Sequence, residues 1–239
     1  APPPYTPDRV SLAVDYLADT QVDWLCWCMG SGVAYGYHSA QVESIYDSIA
    51  RSGRSASLQD LTGTLYQQGI DYVPILIDEA HNRGIRFFAS FRMNDTHHKS
   101  DPDGPLASTF WRERQDLRLW ELDDAQGYYN AALDYSAPEV RQRMECMVTE
   151  VLDRYPVDGV ELDFCRNPFL FQPSEAWEKR DIMTVLVSSI RERLAAAATQ
   201  RGCSLKMILR IPFDRNSLRR GGIDAEAWIT GRLCDVLVM

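Results

Sequence analysis

The sequence predicts an α/β fold with a parallel sheet, and two observations carry this prediction. First, an amphipathic helical pattern, a polar or glycine stop and a short apolar strand recur in turn along the 239 residues. Second, connections from helix to strand are very short, whereas those from strand to helix are often long. Parallel strands release their outgoing loops at one edge of a sheet, so that edge is expected to carry the function.

The repeated unit is a helix followed by a strand. The five units are residues 8–19 and QVDWLCWCM, 71–83 and IRFFASF, 138–155 and VDGVELDF, 175–200 and LKMILRI, and 224–232 and CDVLVM. Asp71 and Gly84 are typical of the first and last positions around the second helix, and Pro138 is typical of the start of the third. The long outgoing loops are predicted at residues 30–70, 93–137, 165–174 and 212–223.

The strand VDGVELDF favours a closed barrel over an open, doubly wound sheet. Val160 and Leu162 alternate with Glu161 and Asp163, and two carboxylates on one face suit a barrel interior, whereas central strands of open sheets are apolar on both faces. No glycine-rich nucleotide motif follows any strand. We therefore expect a (β/α)8 TIM barrel with about five of its eight strands present, in which residues 1–239 form one catalytic-type domain of a longer chain.

Composition excludes two classes of partner. The formal net charge is -9 and the pI about 5.0, so no basic field is available for a nucleic-acid backbone. No apolar run approaches the roughly 20 residues that span a bilayer. Neither a nucleic acid nor a membrane is expected as a partner.

Two carboxylates of the third strand are the candidate catalytic residues. Asp163 stands at the carboxyl end of that strand, where barrel enzymes place their catalytic groups. The alternative is that it pairs with Arg166 or caps the next loop. Glu161 lies two residues deeper, as a second catalytic carboxylate or as a buried acid that pairs with an arginine. Both carboxylates point the same way, so the partner of Asp163 in glycoside hydrolysis is expected on another strand.

Polar residues after the second strand are candidate substrate ligands. Arg92, Asn94, His97 and His98 can hydrogen-bond sugar hydroxyls or an anionic substituent such as carboxylate or sulfate. A metal site is the rival interpretation, and it requires Asp95, Asp163 and a histidine to converge on one ion. Adjacent histidines rarely chelate one ion together, and no H-x-H or H-E-x-x-H is present, so no metal is predicted.

Further substrate ligands are expected from neighbouring strand ends. Arg166 follows the third strand, and Arg210 and Asp214 reach the same edge from the fourth. Arg210 either pairs with an inward-facing acid or clamps substrate. Trp27 either stacks on a sugar ring or belongs to the core, whereas Trp24 is expected in the core. Three further residues just beyond the first strand add to this aromatic group: Tyr35, Tyr37 and His38.

Three segments resemble the glycosyl-hydrolase-like 10 family: ILIDEAHNRGIRFFASFRMND, SAPEVRQRMECMVTEVLDRYPVDGVELDFCR and GIDAEAWITGRLCDVLVM. The resemblance implies a glycosidase-type barrel that acts on a polysaccharide or glycoconjugate, with Asp163 as the residue matching the acidic strand end. The sequence departs from the commoner family pattern at Phe164, where a second acidic residue tends to follow the aspartate, and at residues 93–95, where an Asn-Pro tends to stand.

These observations lead to one main hypothesis and two alternatives. The main hypothesis is a glycoside hydrolase with Asp163 as nucleophile or general base, a carbohydrate substrate and no cofactor. The alternatives are a carbohydrate-binding barrel without turnover and a metal-dependent hydrolase. A polysaccharide substrate would imply a periplasmic or extracellular location.

Overall fold

The computed structural model describes residues 5–31, 36–53, 60–104, 106–120 and 129–239. Its centre is a five-stranded sheet in which every neighbouring pair is parallel and the strands follow one another in chain order. The strands are β1 Trp24–Ser31, β2 Arg86–Arg92, β3 Gly159–Asp163, β4 Lys206–Arg210 and β5 Val236–Val238. Each predicted strand is therefore confirmed within a few residues.

The helices that precede β2 to β5 are confirmed as well. The α-helices are α1 Ile45–Arg51, α2 Leu61–Gln67, α3 Tyr72–Asn82, α4 Thr109–Glu113, α5 Pro138–Arg154, α6 Arg180–Arg201, α7 Arg215–Gly221 and α8 Ala225–Thr230. The Asp71 side chain accepts a hydrogen bond from the Val73 N–H at the start of α3, and Gly84, with a φ of 73°, turns the chain into β2. Pro138 begins α5 as predicted.

Two predictions about secondary structure were wrong. Residues 8–19 form two 3-10 helices, Pro7–Ala13 and Asp15–Leu17, instead of one α-helix, although Val10 and Val14 are buried as the pattern indicated. The predicted loops 30–70, 93–137 and 212–223 contain the short helices α1, α2, α4 and α7. Helices of five to seven residues give too few turns for an apolar period to show in the sequence.

The two faces of β3 differ as the alternation predicted. Val160, Leu162 and Phe164 are buried in the hydrophobic core, and the Phe164 ring lies 5.1 Å from that of Trp228 in α8. Glu161 and Asp163 point to the opposite face, as required by the alternation of side chains along a strand. The helix layer therefore covers one face of the sheet, and the carboxylates lie on the other.

The strand order indicates how the sheet is wound. Doubly wound sheets reverse their strand order at a switch point, whereas a barrel adds its strands in sequence; this sheet follows the second rule. Within the described ranges, no helix combines the length and apolar character needed to cross a bilayer.

Candidate functional site at the carboxyl edge of the sheet

Three neighbouring strands end on charged residues in the same register. Arg92 of β2 pairs with Asp163 of β3, and Asp163 pairs in turn with Arg210 of β4. Parallel pairing thus places one carboxylate between two guanidinium groups at the edge that releases the long loops. The Asp163 carboxylate also accepts a hydrogen bond of 2.8 Å from the Cys165 N–H, so this residue caps the following loop as one interpretation of the sequence expected.

The environment of Asp163 changes its acidity. Burial raises the pKa of the Asp163 carboxyl above its ordinary value, and the charge of Glu161 adds to this effect. The Cys165 N–H, Arg210 and Arg92 act in the opposite direction without cancelling the rise. A carboxylate of raised pKa is the stronger base once it is ionised, which suits a group that accepts a proton or attacks an electrophile.

Glu161 forms the closest ion pair of the inner face. Its side chain is 3% exposed, and its Oε1 accepts a hydrogen bond of 3.0 Å from Arg210 Nε and lies 2.9 Å from Arg210 Nη2 in an ion pair. The Arg210 side chain is 42% exposed, so it reaches from this buried acid to the open edge. Glu161 therefore holds Arg210 in place beside Asp163, the pairing that one reading of the sequence expected.

A cavity of about 310 Å³ opens between the ends of β1 and β2. Its walls are Cys28, Met29, Gly30, Ser31, Gly36, Ile45, Arg92, Asp95, His97, His98 and Leu106. Arg92 is common to this cavity and to the strand-end row that contains Asp163. The cavity and the carboxylate thus belong to one candidate site.

An aspartate, a histidine and an arginine form a chain of hydrogen bonds at this cavity. Arg166 Nη2 lies 2.6 Å from His97 Nε2, and a guanidinium can only donate, so Nε2 is the acceptor. His97 Nδ1 then carries the proton and donates to Asp95 Oδ1 at 2.5 Å. Arg92 Nη1 lies 3.6 Å from the other Asp95 oxygen. His97 is neutral in this arrangement, and Arg166 pairs with it rather than with Asp163.

Asp95 was not predicted from the sequence to bind substrate or to take part in catalysis. Asp95 was expected only as a metal ligand in the metal-site alternative, because it follows Asn94 in a polar run that offers many candidates. The structure places it on the cavity wall with a side chain that is 13% exposed. In the described part of the chain, no three His, Cys, Asp or Glu side chains are arranged to hold a metal ion. The metal-dependent alternative therefore lacks the convergence it requires there.

His98 borders the cavity, but its Nε2 atom already has a hydrogen-bond partner within the protein. The residue is 2% exposed, its Nε2 lies 3.3 Å from the Ala131 carbonyl, and its ring meets that of Trp111 at 4.1 Å. Burial lowers the pKa of His98 to about 4. It is therefore a neutral wall of the cavity, and the expectation that it hydrogen-bonds substrate is wrong for Nε2.

Asn94 was expected to bind substrate, and the structure contradicts this. The residue is 1% exposed. Its Nδ2 donates to the carbonyls of Leu133 and Phe169, at 2.9 and 2.8 Å, and its Oδ1 accepts from the Leu133 N–H at 2.9 Å. We call these three bonds the Asn94 clamp, because they join the loops that follow β2 and β3.

Replacing Asn94 by Ala is expected to lower the free energy of unfolding by about 3 kcal/mol, since three backbone groups lose their partner in a buried place. Urea unfolding followed by circular dichroism measures the change. Asn216→Ala, at an exposed position of α7, is the matched control and should change stability little. Equal stability of the two variants would show that the clamp contributes nothing.

Two further predicted ligands serve the fold instead. Asp214 accepts a hydrogen bond of 2.9 Å from the Ser217 N–H and caps α7, and hydrogen bonds from Ser217 lower the pKa of its carboxyl. Trp27 packs against the hydrophobic core, because alternation along β1 turns it to the helix side. This is one of the two alternatives that the sequence left open for Trp27, and Trp27 does not line the cavity.

The other aromatic residues after β1 are also structural where they are described. Tyr37 is buried and donates to Glu150 at 3.1 Å, and the His38 ring stacks on Tyr66 at 3.8 Å. Trp24 lies 4.8 Å from Phe88. Tyr35 lies outside the described residues. None of the described members of this predicted aromatic group lines the cavity.

Two curated proteins are similar in sequence to this chain. Glycosyl hydrolase DigH of Escherichia coli (strain K12) is 31% identical over 110 residues, which is 43% of this chain and 24% of that protein. Trehalose synthase of Pimelobacter sp. (strain R48) is 27% identical over 183 residues, which is 64% of this chain and 30% of that protein. The chain thus spans between a quarter and a third of the length of these curated relatives.

Two solved structures show a partial likeness to this chain. A glycoside hydrolase family 18 N-acetylglucosaminidase from Paenibacillus barengoltzii has a TM-score of 0.42 at 15% identity, over 71% of this chain and 40% of that one. A class V chitinase from Pseudomonas fluorescens Pf-5 has a TM-score of 0.41 at 13% identity, over 88% and 53%. The family is identified from sequence: residues 32–188 match the family described as Glycosyl hydrolase-like 10. Because this match covers well over half of the 239 residues, the chain belongs to the glycosyl-hydrolase-like 10 family.

Proposed function

We propose that this chain is part of a glycoside hydrolase that acts on a polysaccharide or glycoconjugate, with Asp163 as nucleophile or general base. One observation carries the proposal: a half-buried carboxylate of raised pKa ends β3 between Arg92 and Arg210, next to an open cavity. In this proposal the five parallel strands belong to a (β/α)8 barrel of the glycosidase type.

The second carboxyl group of such an enzyme needs a defined separation from Asp163. Retaining enzymes hold the two about 5 Å apart and inverting enzymes about 6.5–9.5 Å apart, on opposite sides of the scissile bond. Glu161 is unsuited, because it is buried and bound to Arg210. Asp95 is held by His97. We propose that the acid comes from another strand end of the complete barrel.

Arg92 and Arg166 are the proposed substrate ligands at the cavity, and Arg210 joins them at the Asp163 end. Their guanidinium groups can donate to sugar hydroxyls or to an anionic substituent. His97 positions Arg166 by accepting its hydrogen bond. This set favours a substrate that presents oxygen acceptors close to the bond that breaks.

A carbohydrate-binding barrel without turnover is the second candidate. The pairing of Glu161 and the engagement of Asp95 favour it, because both remove a second free carboxylate from the described part of the edge. Such a barrel would use the same cavity and the same arginines. The two candidates therefore differ in product release and not in binding.

The test is incubation of the full-length protein with a panel of neutral and anionic polysaccharides, with reducing ends and glycan binding measured in parallel. Release of new reducing ends from at least one polysaccharide supports the hydrolase. Binding without release from any member supports the binding barrel. Absence of both would contradict the carbohydrate assignment of this site.

A further inference from the structure

The short helix α7 carries an arginine cluster on an otherwise acidic chain. Arg215, Arg219 and Arg220 are exposed, and none of them forms an ion pair with a carboxylate in the described ranges. The chain as a whole has a net charge of -9, so three unneutralised guanidinium groups on seven residues create a local positive field. We call these three residues the α7 arginines.

Aromatic rings hold two of the α7 arginines in place. The Arg219 guanidinium lies 4.7 Å from the centroid of the Trp177 ring, and that of Arg220 lies 5.3 Å from the Phe169 ring. Within the described residues neither guanidinium donates a hydrogen bond to the protein, so their N–H groups remain available to an outside acceptor while the rings hold the side chains. These two donors are therefore preorganised for an acceptor outside the protein, which reduces the entropy lost when one binds.

The cluster lies on the functional edge of the sheet. α7 begins five residues after β4 ends at Arg210, and Trp177 and Phe169 belong to the outgoing connection of β3. Between β4 and α7 stands Phe213, which is 82% exposed. An exposed aromatic ring offers a face on which a sugar can stack.

We infer that the α7 arginines and Phe213 form an outer subsite for an acidic glycan, in which Arg219 and Arg220 bind a carboxylate or sulfate group of a sugar beyond the one at Asp163. The inference rests on the proposed function. A guanidinium group can donate two parallel hydrogen bonds to one carboxylate or sulfate group. An anionic membrane is disfavoured as the occupant, because the acidic remainder of the surface would be repelled by it.

The experiment compares the full-length protein carrying Asp163→Asn, which prevents turnover, with the same protein that also carries the double substitution Arg219→Gln/Arg220→Gln. Calorimetry measures the Kd for a galacturonic acid hexamer and for cellohexaose, its neutral counterpart in length. We expect the Kd of the acidic hexamer to rise roughly tenfold or more and that of the neutral hexamer to stay within about twofold. Added salt should weaken only the acidic complex, and less so in the double variant.

The matched control is Arg86→Gln. Arg86 is also exposed and also lies over an aromatic ring, Trp24 at 6.0 Å, but it stands at the amino end of β2. An equal Kd rise in this control, or an unchanged Kd in the double variant, would overturn the subsite. Binding of phosphatidylserine vesicles with no preference for the acidic hexamer would overturn the ligand assigned to it. If both hexamers bind alike while the full-length protein still hydrolyses glycans, the subsite fails and the proposed function stands.

Discussion

Asp163→Asn is expected to reduce glycan hydrolysis by about 10³-fold or more, because an amide neither attacks the anomeric carbon nor accepts a proton. The shape of the site should survive, since the Asn Oδ1 can still accept the Cys165 N–H that Asp163 accepts at 2.8 Å. Initial rates of reducing-end release and the Kd of the same substrate separate the two effects. A near-normal kcat of the variant would show that Asp163 takes no part in the chemistry.

The same substitution is expected to raise the melting temperature at pH 7. Burial is the main cause that raises the pKa of Asp163 above 3.8 in the folded protein, so the folded state loses stability as the carboxyl ionises and the unfolded state does not share this cost. Asn removes the charge. The gain should disappear near pH 3, where the carboxyl is protonated in both states.

Thermal unfolding of Asp163→Asn and the unchanged protein at pH 7 and pH 3 measures this difference. A lower melting temperature of the variant at pH 7 would mean that the carboxylate stabilises the fold, as a simple loop cap does. A stabilised but inactive variant is the pattern expected of a residue kept for function at a cost in stability.

Arg210→Met is expected to lower the free energy of unfolding by about 4 kcal/mol at pH 7. It leaves Glu161, 3% exposed, without the hydrogen bond and the ion pair that Arg210 provides. The buried carboxyl can then escape its charge only by taking up a proton, and the cost of protonating an ordinary glutamate at pH 7 sets about this limit. Because the folded state of the variant would bind this proton more tightly than the unfolded state, its deficit should shrink as the pH falls towards 4.

The double variant Glu161→Gln/Arg210→Met is the control for this prediction. It removes the charge that Arg210→Met leaves unpaired, so most of the lost stability should return. Urea unfolding of the two single variants and the double variant gives the coupling energy between the residues. Additive losses would contradict the view that the pair acts as a unit.

The sequence predicted the parts of this protein that repeat. The helix and strand patterns occur in five successive units, and alternation along VDGVELDF correctly separated Glu161 and Asp163 from the core residues of the same strand. It also allowed the pairing of Glu161 with an arginine. These predictions succeed because burial imposes a period on the sequence, and a period is visible without knowledge of distant contacts.

The roles of residues at the carboxyl edge of the sheet were predicted less well, for a different reason. Asn94, Asp214 and Trp27 each stand at or near a strand end and were expected to bind substrate, yet one clamps two loops, one caps α7 and one joins the core. A polar residue after a strand is equally suited to bind a ligand or a backbone group. Which of these it does depends on loops that are distant in sequence, such as the one containing Leu133 in the case of Asn94.

The Asn94 clamp limits how the site can open. It joins the chain at Leu133 to the chain at Phe169 through a single buried side chain, so the loops after β2 and β3 form one mechanical unit. Two of the three bonds, those to Leu133, stabilise the loop after β2 itself, and the bond to the Phe169 carbonyl is the one that a separation of the two loops would break. Variation in the lengths of the two clamped loops is therefore constrained to preserve the point where they meet.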